Sequence, residues 1–356
     1  MRFLAGILLC LVAGAAAAAD SLTILTWGGA YERSQRKAYF EPFTERTGIE
    51  IRTEQYNGGI EALREKVQSG NLPWDLIDVV KSDSIEACER GLLEPIDHDA
   101  LPPAPDGTPA VEDFYPGALT RCAVAEVIYS TVLAFDVRAF PGVKPRTVSA
   151  LFDLERFPGK RSLQRRPIAV LEWALRSYGV PRQEIYNLLS TERGLDLAFA
   201  RLDRIKDQVI WWEDGAVPAR LLAEGKVVMA SGYNGRFFEA AVNDGQPIQT
   251  LWDAQLYDYS LLAIPAGAPN ADGARRFLRF ATASERLAAQ ARYISYGPAR
   301  RSAMNQVWKH AATGIDVRPH LPTYPPNFAR AIRKDHEWYA RMGDRLRERF
   351  AAWLNE

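Results

Sequence analysis

Strand-like and helix-like segments alternate along most of the chain, and this alternation constrains the fold more than any other feature. Apolar, β-favouring runs are followed by helical patterns closed by glycine, the signature of an α/β protein. Leu22–Thr26 predicts a strand, Glu32–Thr47 a helix stopped by Gly48 with a kink at Pro42, and Ile49–Gln55 the next strand. Ile60–Ser69 predicts a helix stopped by Gly70, Asp75–Val80 a buried strand, and Ser82–Arg90 a short helix stopped by Gly91. Residues 99–117, rich in proline and glycine, read as surface loop. Ala123–Phe135 is a β-favouring run long enough to cross between two lobes. Helices are predicted over 168–178, 182–189, 191–206, 217–224 and 272–282. Strands are predicted over 209–212, 227–231 and 260–264. Trp338, Met342, Leu346 and Phe350 recur every four residues and mark an amphipathic helix packed on a core.

The first nineteen residues stand apart from this pattern. Arg2 precedes an apolar run from Phe3 to Val12, and Ala17-Ala18-Ala19 offers a cleavage site before Asp20. This is the make-up of a secretory signal peptide, and the apolar run is too short for a stable membrane anchor. Without residues 1–19 the chain carries 43 basic and 44 acidic residues, a net charge of −1. That balance argues against a partner such as nucleic acid or anionic lipid. No later segment reaches 18 consecutive apolar residues, so the mature chain is expected to be soluble. Its length suggests two domains. Cys88 and Cys122 remain, and in an exported protein such a pair predicts a disulfide.

Motifs for catalysis and for metals are missing. His98, His310, His320 and His336 have no mutual metal-ligand spacing, and there is no HExxH, paired CxxC or Gly-x-Ser-x-Gly. Gly28-Gly29 is not a dinucleotide fingerprint, and Gly159-Lys160-Arg161-Ser162 lacks the upstream glycine of a P-loop. No enzyme activity, cofactor or metal is expected on these grounds.

A set of short motifs in fixed order carries a resemblance. Trp27-Gly28 ends the first strand, Thr47-Gly48-Ile49 opens the second, and Trp74-Asp75-Leu76 opens the third. Then come Ala230-Ser231-Gly232-Tyr233-Asn234-Gly235, Leu262-Ala263-Ile264-Pro265 and Tyr296-Gly297-Pro298. The mature chain resembles the periplasmic solute-binding proteins of ABC importers, in the branch typified by spermidine/putrescine-binding proteins. The resemblance implies a two-lobe α/β fold of the type II periplasmic binding protein class, with the ligand in the interlobe cleft. It places residues 20–131 and 254–298 in lobe 1, and 132–253 and 299–356 in lobe 2. The partners it implies are a small amine-bearing or zwitterionic solute and the ABC permease subunits of the inner membrane. The protein itself is expected to be a periplasmic monomer.

The same resemblance puts the end of the first strand at the cleft. Trp27 then offers a π face to a ligand ammonium or alkyl chain, and Gly28 and Gly29 let backbone approach it, with Tyr31 following. From the stretch alone, a core tryptophan before a glycine turn is the plainer reading. By family position Tyr129 and Ser130 on the crossing strand, Tyr233 and Asn234 at a lobe 2 strand end, and Tyr296 are further cleft residues. Trp211 and Trp212 point to opposite sides of a strand, and Trp212 is taken as the one reaching the cleft. Ser82 either meets the ligand at a helix N-terminus or, with Asp83, caps that helix.

Charge is where the chain departs from polyamine binders. Positions that hold acidic side chains in that branch fall here near Arg166 and Ala169, at Arg236, and at Ser260, with Asp258 two residues away. A dry cleft lined by arginines would repel a diamine, whereas a guanidinium fork suits a carboxylate. Asp258, or Glu172 if it faces inward, can still take an ammonium. The expected ligand is therefore an amine-bearing solute: a polyamine, or, from Arg165, Arg166 and Arg236, a zwitterion such as an ω-amino acid. The bland reading leaves Arg165 and Arg166 as solvated loop residues. Alternative functions are a secreted hydrolase or transferase on an α/β scaffold, or a solute sensor docking on a receptor.

Overall fold

The structure is a computed structural model and describes residues 21–356. The signal peptide expected over residues 1–19 lies outside the described residues. Eight strands carry the architecture: β1 (Ser21–Thr26), β2 (Glu50–Gln55), β3 (Leu76–Val80), β4 (Ala123–Asp136), β5 (Arg161–Gln164), β6 (Val209–Trp212), β7 (Met229–Tyr233) and β8 (Ile248–Ala263). They run through one sheet in the order β2-β1-β3-β8-β4-β7-β5-β6. At one end β1 pairs parallel with β2 and β3. At the other, β5 pairs parallel with β6 and β7. Parallel strands covered on both faces read as apolar runs, as β3 does with Leu76, Ile77 and Val79 fully buried.

β4 and β8 join the two ends. The first half of β4 pairs with the C-terminal half of β8, and its second half, from Thr131 to Phe135, pairs with β7. The register of this antiparallel pair breaks where Val132 alone faces Trp252, Asp253, Ala254 and Gln255. Ala254 takes up the excess in a left-handed conformation, φ 56°. The lobe boundaries expected at 131/132 and 253/254 lie beside this break, but Ala254 and Leu256, expected in lobe 1, pack into the core of the second end. β8 is far longer than the strand expected over 260–264, because its polar middle hides it: Gln255 is buried and donates to the carbonyls of Pro322 and Asn327, 3.0 and 2.8 Å.

Each end has its own core. One cluster gathers Leu22, Ile24, Phe43, Leu76, Leu262, Phe277 and Leu287, and the other Leu163, Trp173, Leu195, Leu202, Leu346 and Phe350. Val307, Val317 and Leu321 belong to the first cluster, so the tail expected in lobe 2 from residue 299 joins it only with Ile332 and the helix His336–Asn355. The helix expected over 32–47 is broken as Pro42 demands. Gly29–Gln35 and Glu41–Thr47 are α-helical, with a π-turn at Arg36–Phe40 between them. Proline cannot donate to the Ala38 carbonyl, and the Glu41 amide reaches back to Arg36 instead. Gly48 ends this segment in the left-handed region, φ 76°. Cys88 and Cys122 are disulfide-bonded, Cα–Cα 5.8 Å, and tie the helix Lys81–Glu89 to the start of β4.

Candidate ligand-binding site

A cavity of about 140 Å³ opens between the two ends of the sheet. Trp27, Tyr31, Asn57, Val80 and Ser260 line it from the first end, Tyr129 and Tyr296 from the middle, and Gln164, Arg166, Tyr233 and Arg236 from the second, with Glu213, Asp214 and Gly215 at its rim. Tyr129 stands in the middle of an aromatic cluster, 5.7 Å from Tyr233 and 6.1 Å from Tyr296 between ring centres. Burial pushes the hydroxyls of Tyr31, Tyr129 and Tyr296 to higher pKa, so they stay neutral.

Two guanidinium groups face the cavity. Arg166 is exposed on the loop after β5, and Arg236 sits on the short helix Asn234–Phe238 that follows β7. Among the described residues neither has a carboxylate partner within 4.0 Å. Arg236 reaches across to the first lobe, where its Nη2 lies 3.4 Å from the Gly28 carbonyl oxygen. The opening glycine pair has its explanation here. Gly29 adopts φ 58°, and a Cβ at that position would collide with the Arg236 guanidinium. The bare backbone thus makes room for a charged side chain of the other lobe rather than for a ligand directly.

The opposite wall rests on two buried acids. Trp27 stacks on Tyr56 at 4.7 Å, and its Nε1 donates to Asp78 Oδ1 (2.9 Å) and Ser260 Oγ (3.0 Å). Ser260 Oγ donates in turn to Asp78 Oδ1 at 2.5 Å, and the Tyr31 hydroxyl donates to Glu126 Oε1 at 2.5 Å. Gln35 Nε2 bridges the acids, 2.8 Å from Asp78 Oδ2 and 2.8 Å from Glu126 Oε1. Burial, and next the Asp78 charge, hold the Glu126 carboxyl well above the usual range, while burial raises Asp78. The sequence reading missed both residues. The readable signal was a lone acid inside a buried apolar strand, at Ile77-Asp78-Val79 and Ala125-Glu126-Val127. Asn57, Val80, Gln164, Glu213, Asp214 and Gly215 were also missed. They lie on loops and strand ends whose convergence no local pattern reveals.

Several expected site residues lie elsewhere. Arg165 is exposed and pairs with Glu213 at 3.4 Å, outside the cavity wall. Trp212 is core, donating to Ser231 Oγ at 3.1 Å, while Trp211 packs on Phe350 and Trp353. Ser82 is the second residue of the helix Lys81–Glu89, whose N-cap is Val80 with no side-chain cap; its hydroxyl donates to Asp83 Oδ1 at 3.3 Å, and it does not line the cavity. Ser130 is buried, and its backbone amide donates to Asn234 Oδ1 at 2.9 Å. Asn234 Nδ2 donates to the Ser295 carbonyl oxygen at 2.5 Å, so this side chain ties strands and loop together and leaves no group for a solute.

Asp258 is the largest departure. It is buried beneath Tyr129 and already holds an ammonium, that of Lys334, at 2.7 Å. His336 Nε2 lies 3.2 Å from its other oxygen. Burial opposes its charge, yet His336 and Lys334 keep its carboxyl below the ordinary aspartate range. Burial pushes His336 down to about 4, so at neutral pH Lys334 is the standing cation. Glu172 does not face the cleft either. It accepts the Tyr339 and Tyr186 hydroxyls at 2.6 and 3.1 Å inside the second core.

Two α/β lobes joined by crossing strands, with a small polar and aromatic cavity between them, define a solute-binding protein. The chain belongs to the family of bacterial extracellular solute-binding proteins, which residues 38–315 match. It is thus a substrate-binding protein of the ABC-transporter class, as the ordered motifs implied. A gamma-aminobutyric acid-binding protein of Pseudomonas aeruginosa is 34% identical over 345 residues, 97% of this chain and 94% of the relative. Among solved structures, the PBP MotA from A. tumefaciens B6 in complex with glucopine superposes with a TM-score of 0.83 at 28% identity, over 94% of this chain and 99% of that one. A GABA receptor structure superposes with a TM-score of 0.79 at 27% identity, over 94% and 98%.

Proposed function

We propose that the protein captures a small ω-amino acid of the γ-aminobutyrate type in the periplasm and delivers it to the permease of an ABC importer. One observation carries this reading: Arg166 and Arg236 line the cavity with no carboxylate partner among the described residues. A guanidinium without a carboxylate partner at the edge of a low-dielectric cavity is a seat for one, gripped by charge-assisted hydrogen bonds. The same groups repel a second ammonium, which disfavours di- and polyamines. The 34% identical relative named for γ-aminobutyrate agrees with this charge pattern. The mechanism is capture by a monomer, without a bond made or broken. The lobes hinge at the register break of β4 and β8, close on the solute and expel water, and the permease reads the closed form.

Calorimetry with γ-aminobutyrate, putrescine and spermidine tests the proposal. The amino acid binds with one-to-one stoichiometry and is recovered unchanged. Arg236→Met costs about 1.5–3 kcal/mol, the worth of a charge-assisted hydrogen bond, a loss of roughly ten- to a hundredfold. Tight binding of either polyamine with none of γ-aminobutyrate overturns it.

A further inference from the structure

The wall of Trp27, Tyr31 and Ser260 has an unusual polarity. Each of these cavity-lining side chains spends its hydrogen inward, on Asp78 or Glu126. What remains for a ligand is a hydroxyl lone pair on Tyr31 and Ser260 and the indole face of Trp27. All three accept positive charge or a hydrogen, and none offers a donor. The acids behind them are fully buried and meet at one amide, Gln35 Nε2. Among the described residues neither has a basic group within 4.0 Å, and Glu126 Oε2 has no hydrogen-bond donor. Two carboxylates so placed cannot both be ionised. The pair therefore holds one proton on the Glu126 carboxyl, which burial and next the Asp78 charge raise well above the usual range. The pair then carries a single negative charge beneath the wall, with no basic side chain within 4.0 Å among the described residues.

We infer that Asp78 and Glu126 make the Trp27–Tyr31–Ser260 wall a subsite for the ligand's primary ammonium, setting the amine end against the first lobe while the carboxylate meets Arg236 and Arg166 of the second. The inference rests on the proposed ω-amino acid ligand. It adds which groups select the amine and how: buried acids consume the donors of the wall and supply its field, without touching the solute. A ligand lacking the amine leaves the charge of the pair uncompensated and loses the acceptors.

Titration calorimetry of the mature protein with γ-aminobutyrate, butyrate and n-butylamine tests this. The wild type is expected to bind γ-aminobutyrate at least a hundredfold more tightly than butyrate. Asp78→Asn, which removes the charge and keeps the shape, weakens γ-aminobutyrate at least tenfold and changes butyrate less than twofold. Ser260→Ala moves the ratio in the same direction and serves if Asp78→Asn does not fold. Butyrate binding the wild type as tightly as γ-aminobutyrate refutes the amine subsite and leaves the carboxylate seat intact. Equal losses of both ligands in the two variants also refute it. Butylamine binding as tightly as γ-aminobutyrate, unaffected by Arg236→Met, instead overturns the carboxylate seat and supports the amine wall. If none of the three binds, the inference falls together with the reading it rests on.

Discussion

Replacing His336 by glutamine should remove a pH dependence that can be sized from the structure. His336 begins the helix His336–Asn355 and is 7% exposed, facing Asp258, Lys334 and Lys81, with Asp335 as the preceding residue. Burial lowers its pKa from 6.5 to about 4, and the positive end of the helix works in the same direction. In the unfolded chain the imidazole takes up a proton as pH falls through 6.5, whereas in the folded protein it stays neutral until about 4. The unfolded state therefore binds more protons across this window, and stability falls as pH falls. At 1.36 kcal/mol per unit, the full loss is about 3 kcal/mol, most of it reached by pH 4.5. Near 2.1 cal/mol/K of unfolding entropy per residue, that corresponds to about 4 °C in Tm. His310 and His320 are also lowered by burial and act in the same sense, so the difference between the two proteins is the measurement. Urea titrations of wild type and His336→Gln between pH 7.5 and 4.5 should give curves that converge in stability, or cross, as pH falls. Parallel stabilities across the window, within about 0.5 kcal/mol, would show that the imidazole ionises freely inside the fold and would refute the reasoning.

Gly29→Ala strains a left-handed position and displaces the Arg236 guanidinium, so γ-aminobutyrate affinity should fall at least tenfold by calorimetry while the far-ultraviolet dichroism is unchanged. Reduction of Cys88–Cys122 frees a loop with sequence separation 34; chain entropy puts the cost at about 4 kcal/mol, checked as the change in urea midpoint with and without reductant, and two thiols should titrate after reduction but none before. Lys334→Met strands the buried Asp258 charge and should cost about 3–5 kcal/mol, whereas the double variant Lys334→Met/Asp258→Leu should recover most of it in the same denaturation assay.

The fold was largely legible because its strands and helices are written in local patterns. β1, β3 and β4 are apolar runs, and the glycines at 48, 70 and 91 stop helices by taking positive φ. What stayed hidden depends on remote partners. The first half of β8 reads as loop because Asp253 and Gln255 interrupt it, yet Asp253 accepts from the Val148 amide at 2.9 Å and Gln255 is satisfied by carbonyls 67 and 72 residues further on. A polar residue in a strand is costly when alone and cheap when such partners arrive, and a window of the sequence holds no information on which applies. The tail from residue 299 was misplaced for the same reason, since Val307 and Leu321 find their core only after the chain has crossed back.

The site divides along the same line. The resemblance, rather than any local pattern, placed Trp27, Tyr31, Tyr129, Tyr233, Arg236 and Tyr296 at the cleft, and these side chains line the cavity. Polar residues could not be sorted, because Ser130, Asn234 and Asp258 look equally free in the sequence and all are consumed internally. Asp258 shows why charge must be paired before it is assigned a role. It has the chemistry to seat a solute ammonium, but the chain supplies its own, Lys334, 76 residues later. A buried carboxylate so satisfied has little left to offer an incoming amine. Asp78 and Glu126 are the reverse case: acids hidden in apolar strands, bridged by a neutral amide, with no basic side chain within 4.0 Å among the described residues. The negative charge that bears on the cavity thus comes from acids whose one local mark is their place inside apolar strands, Ile77-Asp78-Val79 and Ala125-Glu126-Val127. Its effect on ligand choice passes through the hydrogens that Trp27, Tyr31 and Ser260 turn away from the solute.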